Sequence, residues 1–344
     1  MSDSIEKLVR LILSPDVQPV GLSQELWAFV RAIRAFATVQ LVPNRIQADG
    51  ETRTAAGLAI SPTLAGRCGD DFMRTLVFMR GLYDAIQDCG ERISNRPIRV
   101  LYAGCGPYAL LALPAMLVLE ADRLQLELLD LHQASLESAV AVARELELEN
   151  RISKVLNTDA CSYRIPADSV PDIILSETMT AGLQNEPQVS IARQLHTQAP
   201  HSQLIPECVR IHACLVNLAA EFAAFNSKPS ETPAATQKDR ICLGAAFELS
   251  AASIASWHDL DGNRLPGNTL IAPAVIAPRY TPELITEITV YKHHTLQTHD
   301  SGLTVFRPLP CPELAPGDKL AFSYRLGANP GLECESLRVE HTPF

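Results

Sequence analysis

Two glutamates near the middle of the chain, Glu177 and Glu186, have a spacing that could do chemistry. Glu177 ends the apolar run PDIILSE, which predicts a strand, and Glu186 follows nine positions later in TMTAGLQNEPQ. Ligands of open α/β sheets bind beyond the carboxyl ends of the strands, and a loop through Gly182 could bring both carboxylates to one point there. Two such charges raise each other's pKa unless a cation lies between them, and a planar guanidinium with its fork of donors fits that place. Taken alone, Glu186 also fits a solvent-facing loop acid.

A glycine turn upstream of the glutamates predicts a nucleotide site. In IRVLYAGCGPYALLALP an apolar strand leads into Gly104, Cys105 and Gly106 and then a helix, so small residues stand where backbone must approach a nucleotide closely. Asp130 lies 24 residues after Gly106, at the end of the next strand-like run, where an acid would accept hydrogen bonds from ribose hydroxyls. The pattern Gly-x-Gly-x-x-Ala also matches the dinucleotide fingerprint, so NAD is an alternative cofactor at this point. The non-functional alternatives are a merely tight turn and, for Asp130, a helix N-cap.

The elements around these residues predict an α/β fold followed by β structure. From Ile98 onward, short apolar runs alternate with helical stretches as far as PDIILSET, which is typical of a parallel sheet with helices on its faces. After LIPECVRIHACLV, short strand-like pieces separated by turns such as DLDG and LAPGD predict a mainly antiparallel, β-barrel-like domain. Upstream, GDDFMRTLVFMRGLYDAIQDC spaces its apolar residues by three and four, which predicts one buried helical stripe.

These patterns divide the chain into three predicted parts. A chain of 344 residues exceeds the size at which a single core stops growing, which favours more than one domain. We expect a helical N-terminal segment at 1–65, a Rossmann-like cofactor domain at 66–205 and a β-barrel-like substrate or oligomerisation domain at 206–344. Within the last part, the polar stretch 225–239 predicts an exposed loop.

Composition and charge argue against several classes of protein. The net charge of −10 disfavours a duplex nucleic-acid partner, because phosphate binding needs a basic surface. The longest apolar run contains Pro114 and is well short of the roughly 20 residues that span a membrane, and the N-terminus lacks the features of a secretory signal. The nine cysteines include no C-x-x-C pair, so the sequence suggests neither a zinc site nor a disulfide framework. We therefore expect a cytoplasmic protein with no membrane or nucleic-acid partner and no metal.

Several motifs resemble those of the protein arginine methyltransferases. That family carries a hairpin that begins Ser-Glu, continues with a Met and ends in a second Glu nine residues on, and Ser176, Glu177, Met179 and Glu186 occupy those places. DDFMRTL resembles the family's helix upstream of the cofactor strand, and QLIPECVRI resembles its passage into the β-barrel. Thr298 and His299 resemble the start of its Thr-His-Trp loop, so the resemblance covers roughly residues 70 to 340.

The resemblance implies a class I methyltransferase fold, S-adenosylmethionine as cofactor and a guanidino nitrogen of arginine as acceptor. It implies that Glu177 and Glu186 orient and polarise the guanidinium, that Glu186 or His299 takes up the released proton, and that Arg74 grips the cofactor's carboxylate. A homodimer is also expected. The implied cofactor-binding residues are Arg74, Tyr102, Gly104, Cys105, Gly106, Asp130, Leu131, Asp159, Ala160 and Met179.

Departures from the family pattern point towards a small acceptor. Tyr102 replaces an Asp before the glycine turn, Tyr108 replaces a third glycine and Asp300 replaces the Trp of the loop, so the cofactor turn must close differently. The family's long dimerisation arm is not recognisable, and the N-terminal helices are additional. These differences favour free arginine or an arginine-derived metabolite over protein arginine. Candidates to hold such an acceptor's carboxylate are Lys228, Arg240, Arg279 and Lys292.

Three other functions remain open from the sequence. A small-molecule methyltransferase acting on another amine or a hydroxyl would keep the glycine turn and Asp130 without needing both glutamates. An NAD-dependent oxidoreductase would share the same turn, although such a fold normally continues with further βα units rather than turning to β structure. A non-catalytic protein that retains the nucleotide fold is the alternative of another class.

Overall fold

The computed structural model of the chain describes residues 2–41, 50–226, 239–311 and 314–337. Lys228 and most of the predicted loop 225–239 lie outside the described residues. The helices are α1 (Ser2–Leu13), α2 (Ser23–Phe36), α3 (Pro62–Arg67), α4 (Phe72–Arg92), α5 (Leu113–Val118), α6 (Gln133–Glu145), α7 (Gln188–Gln198), α8 (Leu218–Asn226) and α9 (Ala251–Ser256). The strands are β1 (Thr52–Thr54), β2 (Gly57–Ala59), β3 (Ile98–Ala103), β4 (Leu124–Asp130), β5 (Ile152–Asn157), β6 (Ile173–Ser176), β7 (Gln203–Ile205), β8 (Cys208–Val216), β9 (Arg240–Ser250), β10 (Arg264–Ile271), β11 (Thr281–Tyr291), β12 (His294–Leu296), β13 (Arg307–Pro308), β14 (Lys319–Arg325) and β15 (Gly331–Leu337).

A parallel five-stranded sheet forms the middle of the chain, in the order β5-β4-β3-β6-β7. All its ladders are parallel, and α4, α6 and α7 pack against its strands, as the alternation of apolar and helical runs predicts. Strands β3, β4 and β6 are almost entirely buried, which explains why they appear in the sequence as near-continuous apolar runs. Strand β3 lies between β4 and β6, so the strand order reverses there and a crevice opens beyond its carboxyl end.

The chain after β7 forms two antiparallel sheets. One has the order β12-β11-β8-β9 with β13 paired to β11, and the other has the order β10-β14-β15. Between them, β9 and β10 contact each other without a ladder, so the described strands form two facing sheets rather than a closed hydrogen-bonded barrel. Phe247 stacks between Trp257 and Tyr324, with ring centroids 5.6 and 4.9 Å away. The Tyr324 hydroxyl donates to the Leu183 carbonyl at 2.6 Å, which joins this part to the loop that carries the glutamates.

The N-terminal segment contains the predicted helices and also a short β-hairpin. Helices α1 and α2 pack together, and β1 pairs with β2 within the segment 1–65 that was expected to be helical. Strands of three residues are too short to show an alternating pattern, which is why they escape sequence analysis. The Leu58 amide donates to the Asn185 carbonyl at 2.8 Å, so the hairpin lies on the loop that precedes Glu186.

Helix α4 carries the predicted apolar stripe and begins beside the crevice. Leu76, Met79 and Ile86 are buried along one side of the helix, as their spacing predicts. The Asp71 side chain caps the N-terminus by accepting from the Arg74 amide at 3.1 Å, which fixes the first turn. Arg74 is thereby directed towards the carboxyl ends of β3 and β6. No helix within the described ranges is long and apolar enough to cross a membrane.

Candidate active site

A cavity lies beyond the carboxyl ends of β3, β4 and β6, with about 1040 Å³ of empty space counting its open mouth. Its described lining contains both glutamates and nine of the ten residues expected to bind a cofactor. Those nine are Arg74, Tyr102, Gly104, Cys105, Gly106, Asp130, Leu131, Asp159 and Ala160. Residues separated by more than a hundred positions in the sequence therefore meet at the switch point of the sheet, where α/β folds bind their ligands.

The glycine turn follows β3 and needs both of its glycines. Gly104 and Gly106 have φ angles of 71° and 62°, which L side chains rarely adopt. A Cβ added to Gly104 would lie 2.3 Å from the Thr178 Cγ2, so no side chain fits at that position. The Gly104 amide donates to the Leu129 carbonyl at 2.8 Å, which pins the turn to the end of β4. The turn therefore presents backbone to the cavity.

Asp130, at the end of β4, holds the turn through its carboxylate. Its Oδ2 accepts from the Gly106 amide and its Oδ1 from the His132 amide, each at 2.9 Å. Each carboxylate oxygen has a second lone pair, so acceptors remain for ribose hydroxyls. The residue at the N-cap of α6 is His132, so Asp130 does not have the capping role that was its alternative interpretation. Asp159 accepts from the Cys161 amide at 2.8 Å in the loop after β5.

Tyr108, which stands where the family pattern has a third glycine, is accommodated by the N-terminal segment. Its hydroxyl donates to the Val39 carbonyl at 3.2 Å. A Cβ on Gly66 would lie 2.9 Å from the same hydroxyl oxygen, so the glycine at that position makes room for the ring. Tyr102 is buried next to the turn, and burial raises its pKa well above the usual value. A part of the chain distant in sequence therefore contacts the residues that follow the turn.

Glu177 and Glu186 are both buried in the wall of the cavity, with relative exposures of 6% for the Glu177 side chain and 9% for Glu186. Burial raises the pKa of Glu177 to about 7, against the opposing effect of the Arg74 charge. Burial, together with the charge of Glu177, raises the pKa of Glu186 to about 7. The Oε1 of Glu177 is buried and has no hydrogen-bond partner, so it is an acceptor open to a donor from the cavity.

Arg74 forms an ion pair with Glu177 through its Nη2 and the Glu177 Oε2. Burial would lower the pKa of Arg74, but the charges of Glu177, Cys68 and Glu186 hold it above its ordinary value. With both glutamates ionised, this group of one guanidinium and two carboxylates has a net charge of −1. The cavity therefore favours one further cation beside the glutamates.

The loop between the glutamates is held by contacts that the sequence did not suggest. The Gln188 Oε1 accepts from the Thr178 amide at 2.9 Å, and its Nε2 donates to the Ser176 carbonyl at 3.0 Å. Gly182 has a φ of 74°, and its amide donates to the Thr286 Oγ1 at 2.8 Å. These bonds fold the loop back so that Glu186 returns to Glu177. A buried glutamine just after the second glutamate is the one signal that could have indicated this arrangement.

Two predicted site residues lie outside the described lining of the cavity. Met179 is buried, with a relative exposure of 3%, in the loop behind Glu177. His299 has a φ of 69° and its ring stands edge-on to Phe306 at a centroid distance of 4.5 Å. The rest of the His299 loop lies against the start of α4, where Ser301 donates to Asp71 at 2.7 Å. The structure thus brings the two glutamates together but does not bring His299 to them.

The cations suggested for holding an acceptor's carboxylate are engaged elsewhere in the described chain. They form the ion pairs Arg240–Glu221 at 2.6 Å, Arg279–Asp239 at 3.2 Å and Lys292–Asp88 at 2.5 Å, and none of the three lines the cavity. The described lining instead includes residues of the N-terminal segment that the sequence did not single out, among them Thr54, Leu58, Ala59 and Ile60.

Solved structures with a similar fold are arginine methyltransferases. The structure is similar to a chain of the Trypanosoma brucei PRMT1 enzyme-prozyme heterotetrameric complex with AdoHcy, with a TM-score of 0.50 and 14% identity over 82% of this chain and 95% of that chain. The similarity to Arabidopsis thaliana Protein Arginine Methyltransferase 10 is lower, with a TM-score of 0.48 and 12% identity over 80% of this chain and 93% of that chain. For PRMT6 the TM-score is 0.46, with 12% identity over 75% of this chain and 95% of that chain. No protein-family model and no curated protein sequence matches the chain.

The similarity to the Trypanosoma brucei chain confirms the predicted fold class. The chain has a Rossmann-like class I methyltransferase sheet followed by antiparallel β structure, with a helical N-terminal segment added. At this level of identity the likeness shows the fold alone, since one fold can carry many functions.

Proposed function

We propose that this protein is an S-adenosylmethionine-dependent N-methyltransferase that methylates a guanidino nitrogen, with free arginine or an arginine-derived metabolite favoured over protein arginine. The observation that carries the proposal is the burial of Glu177 and Glu186 in one cavity with the glycine turn and Asp130. The ion pair between Arg74 and Glu177 supports this proposal, because the Glu177 carboxylate already accepts a guanidinium group of the protein itself. The homodimer and the cytoplasmic location stay predictions from the sequence.

The residues of the cavity fit S-adenosylmethionine. When bound, this cofactor supplies an electrophilic methyl group on a sulfonium. Asp130 would accept hydrogen bonds from the ribose hydroxyls of the cofactor. The glycine turn at 104–106 would let the cofactor pass close to the protein backbone. A guanidinium has five N–H donors, so Arg74 can bind the cofactor's carboxylate while it keeps its ion pair with Glu177.

The two glutamates would prepare the acceptor for methylation. A guanidinium is a poor nucleophile because its charge is delocalised and its pKa exceeds about 12. The unpartnered Oε1 of Glu177 would accept from one acceptor nitrogen, and Glu186 would accept from a second. The two bonds draw positive charge towards the carboxylates and direct the third nitrogen, so that it is held in line for attack. Glu186, with a pKa of about 7, would then take up the proton that the methylated nitrogen releases.

The β1–β2 hairpin supports a small acceptor. Thr54, Leu58 and Ala59 of this hairpin line the cavity. A Cβ added to Gly57 would lie 2.8 Å from the Asn185 carbonyl oxygen, so the hairpin lies tightly on the loop directly before Glu186. This cover leaves less room beside the glutamates for an extended peptide than an uncovered crevice would.

The test is a methyl-transfer assay with labelled cofactor against free arginine, agmatine and an arginine-rich peptide. Glu177→Gln and Glu186→Gln are the test variants, and Glu283→Gln is the control, because Glu283 is also a buried acid with a raised pKa but does not line the cavity. Label in free arginine or agmatine that is lost in both test variants and kept in the control supports the proposal. Label in the peptide alone would move the function to protein arginine. Cofactor binding with no label in any acceptor would overturn the guanidino assignment and favour another acceptor or a non-catalytic protein.

A further inference from the structure

A second group of potential ligands lies where α4 meets the turn between β11 and β12. Gly81 allows the close approach, because a Cβ at this position would lie 2.6 Å from the Val290 Cγ1 and 3.4 Å from the His294 Cβ. One turn further along the helix, the Asp84 Oδ2 lies 2.7 Å from the His294 Nε2. His293, in the turn itself, places its ring 4.1 Å from that of His294.

The donor atoms of these three residues converge. One ring nitrogen of His293, one of His294 and one carboxylate oxygen of Asp84 all lie within 4.8 Å of one another. Successive side chains of a regular strand point to opposite faces, but His293 precedes β12 and follows Lys292, whose φ is 48°. The turn therefore lets two consecutive imidazoles face the same helix.

The charged neighbours leave this cluster free to take a cation. The Lys292 Nζ lies 2.5 Å from the Asp88 Oδ2, and the Tyr291 hydroxyl donates to the same oxygen at 2.6 Å. Asp88 thus partners the nearby ammonium, while Asp84, one helical turn earlier, pairs with His294. The charges of Arg80 and Lys292 also act on Asp84, but within the described ranges neither forms an ion pair with it. His293 is exposed and Asp84 is half-exposed, so a hydrated ion can reach the donors.

We propose that Asp84, His293 and His294 bind a divalent first-row transition metal, with Zn²⁺ as the best match. Two imidazole nitrogens and one carboxylate oxygen form a ligand set that zinc uses, whereas Mg²⁺ and Ca²⁺ prefer oxygen ligands alone. In a tetrahedral zinc site the ligand atoms lie about 3.3 Å apart, so the His294–Asp84 pair, now at 2.7 Å, must open slightly and the exposed His293 ring must turn inward to close the set. The ion would take the place of the proton between His294 and Asp84, and water would fill the fourth position.

Such an ion would join two parts of the fold at a distance from the cavity. Asp84 lies on a helix of the parallel sheet, and the histidines lie on the β structure that follows it. Asp84 is ten residues beyond Arg74 on the same helix, which corresponds to about 15 Å along the axis. Metal binding can therefore be tested without reference to methyl transfer. His293 and His294 are consecutive, but Asp84 lies 210 residues before His294, so no sequence motif marks this site.

The experiment is a calorimetric Zn²⁺ titration of the full chain after treatment with a chelator, repeated on His293→Gln and His294→Gln. The matched control is His258→Gln, since His258 also lies beside an aspartate, at 2.8 Å, but has no third ligand among the described residues. We expect one site whose Kd rises at least about tenfold in each test variant and is unchanged in the control. We also expect saturating Zn²⁺, but not Mg²⁺, to raise the Tm of the wild type by about 3 °C or more and, at the same Zn²⁺ concentration, to raise that of His293→Gln by less.

Two results would overturn the proposal. One is the absence of any Zn²⁺ binding to the folded wild-type chain. The other is binding that persists unchanged in both histidine variants, which would place the metal at other ligands. Substituting Co²⁺ distinguishes these ligands independently, because a cysteine site shows a sulfur-to-metal charge-transfer band and the proposed site does not. His293 is an exposed turn residue, so its variant remains informative even if His294→Gln fails to fold.

Discussion

The affinity of the cavity for a guanidinium should rise steeply with pH around neutrality. Burial raises the pKa values of both Glu177 and Glu186 to about 7, so below that pH each carboxyl is mostly protonated and cannot accept two charged hydrogen bonds. The guanidinium does not titrate in this range, so the carboxyls alone set the dependence. Binding a cation stabilises the ionised carboxylates, and protons must leave for it to bind.

The size of this effect follows from the two pKa values. A carboxyl with a pKa of about 7 is roughly 9% ionised at about pH 6 and roughly 91% ionised at about pH 8, a change of about tenfold. If binding requires one ionised carboxylate the affinity rises about tenfold over that interval, and if it requires both the rise approaches about a hundredfold. Glu177 and Glu186 titrate as an interacting pair, so the slope counts protons released by the pair and not by either residue alone.

The assay is calorimetric titration of agmatine and free arginine into the chain saturated with S-adenosylhomocysteine, at about pH 6, 7 and 8. Repeating it in buffers of different ionisation enthalpy gives the number of protons released on binding. Glu186→Gln should reduce that number and flatten the dependence, whereas the control Glu283→Gln should not. An affinity that stays constant between about pH 6 and pH 8, with no proton release, would refute the view that these carboxyls receive the acceptor.

Three further predictions concern stability and the cofactor turn. Burial raises the folded-state pKa of Glu186 from 4.5 to about 7, so the stability of the folded chain falls as the pH rises through that window. Glu186→Gln removes this effect and should raise the free energy of unfolding in urea by up to ~3 kcal/mol at about pH 8 but not at about pH 4. Gly104→Ala should weaken S-adenosylhomocysteine binding at least about tenfold in calorimetry. The control Gly21→Ala should not, because a Cβ at Gly21 meets nothing within 4 Å. Equal affinities of the wild type and Gly104→Ala would contradict the role given to the turn. Tyr324→Phe leaves the buried Leu183 carbonyl without its donor and should cost about 1–3 kcal/mol in urea unfolding; no loss would show that the contact is unimportant.

The parts of this site that a sequence pattern can predict are those carried by contiguous residues. The strand before Gly104, the acid at the end of β4 and the strand ending at Glu177 each combine an apolar run with a polar residue at its end. The parallel sheet then brings these ends together, because parallel strands place their carboxyl ends at one edge. That reasoning places Gly104, Cys105, Gly106, Asp130 and Glu177 at the edge where the cavity lies, whereas Arg74, Asp159 and the remaining cofactor residues follow only from the resemblance to a known family.

The parts that escaped prediction depend on contacts between distant segments. The ring of Tyr108 fits only because Gly66 has no side chain, and the β1–β2 hairpin was too short to show a pattern. His299 was placed in the site from its sequence neighbours, yet its backbone turns the ring towards Phe306. In each case the local sequence permits several arrangements, and packing against another part of the chain selects one.

The charges in the cavity distinguish a binding site from a structural ion pair. A structural pair of Arg74 and Glu177 would be satisfied by one carboxylate and would leave no acceptor unpartnered, because a buried unmade hydrogen bond costs about 1–3 kcal/mol. This chain instead buries a second carboxylate beside the first, raises the pKa of both and leaves the Glu177 Oε1 without a donor. Each of these features is unfavourable by itself, and a second guanidinium would relieve all three at once. The two buried carboxylates are therefore unfavourable without a cation beside them and would be stabilised by a guanidinium. This is the property that we expect of a preorganised guanidinium site.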